Sequence, residues 1–141
     1  MKQEVELVQP MQVLLSRTQK VTQEKISEFH ESFGGSNPIH TDAVAAETSG
    51  HGATLQHAAR TIYPIYAMLV ERYQDGFLKG GALNAKFIAP VAPGDVITCY
   101  CRLIGRRSDS KGGAQLEFEI GATNQRDTTV LVGMALVREV E

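Results

Sequence analysis

Ala53-Thr54-Leu55-Gln56-His57-Ala58-Ala59-Arg60-Thr61-Ile62-Tyr63-Pro64-Ile65-Tyr66-Ala67-Met68-Leu69-Val70-Glu71-Arg72-Tyr73 decides the fold. Leu55, Ala58, Ala59, Ile62, Tyr66, Leu69 and Val70 recur at steps of three and four, which traces one helical face. The pattern predicts the longest apolar helix of the chain, from Gly52 to about Tyr73, kinked or locally broken at Pro64. Gln56, His57 and Arg60 are polar insertions in its first turns. Either that end meets water, a ligand or a partner, or these residues form an exposed face. Gly50-His51-Gly52 breaks the chain just ahead, so His51-Gly52 stands at the expected helix start. Backbone N–H groups are free there, and the helix dipole is positive.

Beyond Asp75-Gly76 the period becomes extended. Ala82 to Val91 reads as a strand ended by Pro90 and a Pro93-Gly94-Asp95 turn. Val96 to Ile104 places Ile97, Cys99, Cys101 and Leu103 on one face. Gln115 to Ala122 alternates, with Leu116, Phe118 and Ile120 inward, and Thr129 to Val137 is a last apolar strand. Upstream of the helix, Met11 to Thr18 reads as a strand. Thr22 caps a helix whose stripe is Ile26, Phe29, His30 and Phe33, and Gly34-Gly35 ends it. His30 reads as a structural histidine on that stripe. Helices followed by a meander make an α+β fold in one domain, residues 1–141: a curved antiparallel sheet wrapped around one long central helix. Its open edges predict a homodimer.

The 141 residues suffice for a real core. Net charge is −2, and no basic cluster exceeds Arg106-Arg107, which argues against nucleic acid as partner. No apolar run reaches about 18 residues, so no membrane span is expected. Met1 to Glu6 is charged and lacks a signal-peptide core, and a cytoplasmic protein is expected. The two cysteines, Cys99 and Cys101, share a strand face at i, i+2, where a disulfide is strained, and read as buried reduced thiols. The four histidines lack metal-ligand spacing with carboxylates or thiolates, so neither metal nor cofactor is expected.

Ser36-Asn37-Pro38-Ile39-His40-Thr41-Asp42 presents a histidine on a tight loop. Pro38 fixes its own φ and biases Asn37 toward extended backbone, Asn37 hydrogen-bonds local backbone, and Asp42 caps a short helix from Ala43 to Glu47. On these residues alone, His40 is either a group presented for chemistry or a surface or interface histidine.

Asn37-Pro38-Ile39-His40-x-Asp42, His51-Gly52, and Phe87-Ile88-Ala89-Pro90-Val91-Ala92-Pro93-Gly94-Asp95 together resemble the MaoC-like hydratase family. The likeness runs by motif over roughly residues 20 to 105. It implies a hotdog fold similar to the (R)-specific enoyl-CoA hydratases, and a lyase of fatty acid metabolism acting on an acyl-CoA or acyl-carrier-protein thioester. It assigns acid/base work to His40, loop orientation to Asn37 and an oxyanion-binding backbone N–H to Gly52. Gly35, His51, Gln56 and His57 are the expected substrate-binding residues. The family pattern is Asp-x-Asn-Pro-x-His, and Gly35 occupies its Asp position. The stretch from His40 to His51 is also several residues shorter than in typical members. With the carboxylate missing, two alternatives stand beside hydration: hydrolysis or double-bond isomerisation in the same pocket, and non-catalytic binding of an acyl thioester.

Overall fold

Residues 5–6, 13–33, 36–108, 110 and 112–139 are described in a computed structural model. Strands β1 (Val5–Glu6) and β2 (Leu14–Lys20) precede α1 (Gln23–Phe33), a 3-10 turn (Pro38–His40) and α2 (Ala43–Thr48). Then come α3 (Ala58–Tyr73), the single turn α4 (Asp75–Leu78), and strands β3 (Ala82–Phe87), β4 (Val96–Ser108), β5 (Ala114–Thr123) and β6 (Thr129–Glu139). All pairings are antiparallel, in the order β1-β4-β5-β6-β3, with β2 beside β1 along the same edge of β4. The start of the expected first strand, Met11, and the glycine pair Gly34-Gly35 lie outside the described residues.

The inward face follows the alternation. Ile97, Cys99 and Cys101 on β4, Phe118 and Ile120 on β5, and Leu131 and Val137 on β6 are fully buried. Register lines them up across the sheet: Leu103 opposes Phe118, which opposes Ala135, which opposes Leu83. Helix α3 covers these rows with Thr61, Ile62, Ile65, Met68 and Leu69, while Tyr63 and Tyr66 face outward. Burying side chains the size of Ile65 or Leu69 stabilises by about 1.5–3 kcal/mol each. Gly133 has to be glycine, because a Cβ there would run into the Asn84 carbonyl of β3. Cys99 and Cys101 are free thiols in this core, and burial pushes their pKa values up to about 11 and about 12.

Helix α3 begins at Ala58, later than the expected Gly52. The backbone donors ahead of it are taken by tertiary partners: Leu55 N–H by the Ile39 carbonyl (3.1 Å) and Gln56 N–H by the Val91 carbonyl (2.7 Å). A segment bonded outward in this way cannot enter a helical ladder. His57, with ψ 140°, is the N-cap. The helix runs unbroken through Pro64, which is buried against the core. β3 ends at Phe87 rather than Val91, because the chain peels away toward Pro90 and hands its Val91 carbonyl to Gln56. No described helix is long and apolar enough to cross a membrane.

Candidate active site

The 3-10 turn is built for rigidity. Asn37 Oδ1 accepts the Ile39 N–H (3.2 Å), and the Pro38 carbonyl accepts from Thr41 and Asp42. Asp42 then caps α2 by accepting from the Val44 and Ala45 N–H groups. From α1, Gln23 Nε2 donates to the His40 carbonyl (3.0 Å). The His40 side chain is pinned as well: its Nδ1 lies 2.8 Å from the Leu55 carbonyl. A carbonyl only accepts, so Nδ1 carries the proton and Nε2 is left for chemistry.

The turn and the approach to α3 therefore lock each other, Ile39 carbonyl to Leu55 N–H and His40 Nδ1–H to Leu55 carbonyl. The Pro93-Gly94-Asp95 turn fixes the other side. Gly94, at φ +95°, donates to the Val21 carbonyl (2.8 Å). Asp95 Oδ2 accepts the Ala92 N–H (3.0 Å), and its Oδ1 accepts from Gln125 (2.9 Å). Both sequence motifs thus converge on one place, the head of α3.

His57 stands at that head, 8% exposed. Its ring lies flat on the His40 ring, with centroids 3.6 Å apart and planes 17° apart. Its Nε2 is 3.0 Å from His30 Nδ1. Phe29 packs on the same ring at 5.0 Å. Burial first, then the flanking His40 and His30, pushes the His57 pKa down to about 4, so it is neutral at ordinary pH. Gln56 Nε2 donates to Thr61 Oγ1 (2.9 Å) and to Gln19 Oε1 (3.4 Å). Among the described residues, three buried side-chain atoms meet no partner: Gln56 Oε1, His57 Nδ1 and Arg60 Nε. Beside them an open cleft of about 270 Å³ runs along Leu55, Gln56, Ala58 and Thr61 to Phe87 and Ile88.

Of the expected site residues, the structure brings together His40, Asn37, Gln56 and His57. His51 and Gly52 fall on the loop after α2: His51 N–H bonds the Ala46 carbonyl, and Gly52 is exposed. The histidine at the helix head is His57, and the N–H that follows it belongs to Ala58. Gly35 lies outside the described residues. Sequence reasoning did not single out Ala58 as the start of α3, nor the contact between His30 and His57. The available signal was spacing, since His57 sits seventeen residues past His40 against eleven for His51.

A strongly bent antiparallel sheet closed on one long helix, with the site at the head of that helix, is the hotdog architecture. Residues 6–124 match the MaoC like domain, and the chain belongs to that family. The unliganded R-hydratase from Pseudomonas aeruginosa is similar at 19% identity and TM-score 0.73, over 99% of this chain and 90% of that one. The MaoC-like dehydratase from Rhodospirillum rubrum gives 19% and 0.76, over 92% and 91%. The truncated HadBC complex of Mycobacterium tuberculosis, a 3R-hydroxyacyl-ACP dehydratase, gives 14% and 0.69, over 94% and 99%. A comparison with curated proteins finds no match.

Proposed function

We propose that this protein is a hydro-lyase that interconverts trans-2-enoyl and 3-hydroxyacyl thioesters, carried on coenzyme A or an acyl carrier protein. The observation that carries the reading is His40, whose Nδ1 is committed to the Leu55 carbonyl so that Nε2 is the nitrogen left for chemistry. The thioester makes C3 electrophilic and stabilises charge at C2 as an enolate. Hydration therefore needs a base for water and a donor for the enolate oxygen. His40 Nε2 is the base. The Ala58 N–H, at the positive end of a sixteen-residue helix, is the donor. Asn37 holds the turn that presents His40, and the cleft from Leu55 to Ile88 takes the acyl chain.

The protein acts as a homodimer in the cytoplasm. β3 is an open sheet edge, with Phe87 43%, Ile88 52% and neighbouring Val132 37% exposed beside the cleft, and such edges invite pairing with a second copy. His40→Ala tests the activity. Hydration of a short trans-2-enoyl-CoA should fall by about 10²–10⁴-fold. The midpoint of unfolding should move only as one lost hydrogen bond requires, about 1 kcal/mol. Retained activity would remove His40 from the mechanism.

A further inference from the structure

Two short stretches of chain meet at His40. Ile39 and His40 belong to the 3-10 turn, and Thr54 and Leu55 lead toward α3. They are joined by the Ile39 carbonyl to the Leu55 N–H and by His40 Nδ1 to the Leu55 carbonyl. The second bond fixes the His40 ring, so the separation of the two stretches sets where Nε2 lies. Gln23, the first residue of α1, holds on to both. Its Nε2 donates to the His40 carbonyl and to Ser27 Oγ, at 3.0 Å each. Its Oε1 accepts the hydroxyl of Thr54, a residue only 7% exposed. A carbonyl only accepts, so the amide nitrogen has to face His40 and the amide oxygen Thr54. Resting on the hydratase reading, we infer that Gln23 is a positioning residue for the reaction. It braces the main chain that carries His40 against the segment that receives the Nδ1–H.

Gln23 does not line the cleft, so it acts through His40 and not on the substrate. Its effect on the chemistry has two parts. The first is distance: a base displaced by about 1 Å from its working place can lose about 10²-fold in rate. The second is the proton. With Nδ1–H held on the Leu55 carbonyl, Nε2 keeps its lone pair for water. A histidine released from that bond has both tautomers open to it, and the one protonated at Nε2 cannot act as base there. The brace therefore serves turnover, while the cleft that takes the acyl chain stays as it is. Both arms belong to one amide, so breaking either one frees the same motion between the turn and the approach to α3.

The test measures kcat and KM for a short trans-2-enoyl-CoA in wild type, Gln23→Met, Gln23→Glu, Gln23→Met with Thr54→Val, and His40→Ala. Nitrogen-15 NMR of the histidine-labelled proteins at pH 8 reads the His40 tautomer without substrate. Glu keeps an acceptor for Thr54 and suits the first turn of a helix, but offers the His40 carbonyl no donor. Gln23→Met and Gln23→Glu should each lose about 10–10²-fold in kcat with KM within about twofold. The double variant should be no worse than Gln23→Met, because both changes break one brace. His40 should be a single tautomer, protonated at Nδ1, in wild type and a mixture of tautomers in both Gln23 variants. A purely structural role would lower the unfolding midpoint and leave kcat per folded molecule and the tautomer alone, which overturns the brace. So would losses that multiply in the double variant. Loss in His40→Ala alongside normal turnover in both Gln23 variants would sink the brace and keep the hydratase. If no form turns over the thioester, the hydratase reading falls and the NMR decides the brace alone: mixed tautomers in the variants support it, and one tautomer throughout overturns it. Should Gln23→Met fail to fold, Gln23→Glu carries the same expectation.

Discussion

Between β4 and β6 the sheet buries Cys101, Phe118, Ile120 and Leu131 in apolar rows at 0% exposure. The head of α3 buries Gln56, His57 and Thr61 almost as deeply, at 6%, 8% and 2%, and leaves two of their polar atoms unpaired. The same depth of burial therefore means different things at the two ends of one core. In the sheet it removes apolar surface from water and stabilises the fold. At the helix head it desolvates polar groups without pairing all of them, which opposes folding. The proline-bearing turn and the Asp95 turn hold that region in place by hydrogen bonds instead of packing.

Phe118→Ala should break the sheet side of this contrast most severely, by about 3–5 kcal/mol in denaturant unfolding, with kcat per folded molecule unchanged. Ala58→Pro should break the other side. Ala58 is the first residue of α3, and His57 already has the extended backbone that a following proline requires. The substitution removes the proposed oxyanion donor and little else, so kcat should drop about 10²–10³-fold with the fold preserved. Intact turnover in that variant would relocate the donor.

A smaller effect sharpens the comparison through pH. The folded-state pKa of His57 is lowered from 6.5 to about 4. Above 6.5 the residue is neutral whether the chain is folded or not. As pH falls from 6.5 toward 4, the unfolded chain takes up a proton that the folded site refuses, so stability declines. His57→Gln should flatten that limb of the urea-stability profile relative to wild type, whereas Phe118→Ala should lower the whole profile and keep its shape.

The sheet was legible because period-two alternation is a direct imprint of a two-faced element: Leu116, Phe118 and Ile120 could point only one way. The caps at Thr22 and Asp42 were legible because each bonds within its own few residues. The start of α3 was not. Leu55 and Gln56 continue the apolar-helical pattern of their neighbours, and what holds them extended are carbonyls of Ile39 and Val91, sixteen and thirty-five residues away in sequence. The expected helix head at His51-Gly52 therefore stands at His57-Ala58 in the structure. The contact of His30 with His57 was hidden for a related reason. A histidine on an apolar stripe is usually satisfied locally, and here its partner comes from a different helix.

Cys99 and Cys101 sit in the middle of β4, and their thiols are held in the protonated, unreactive form. A thiol-modifying reagent at pH 8 can therefore reach them only when the core between β4 and α3 opens. At low reagent concentration the labelling rate reports how often that opening is populated; at saturating reagent it reports how fast the opening occurs. Two native thiols thus give the chain an internal timer for its own opening, one that requires no engineered probe and starts with the addition of reagent.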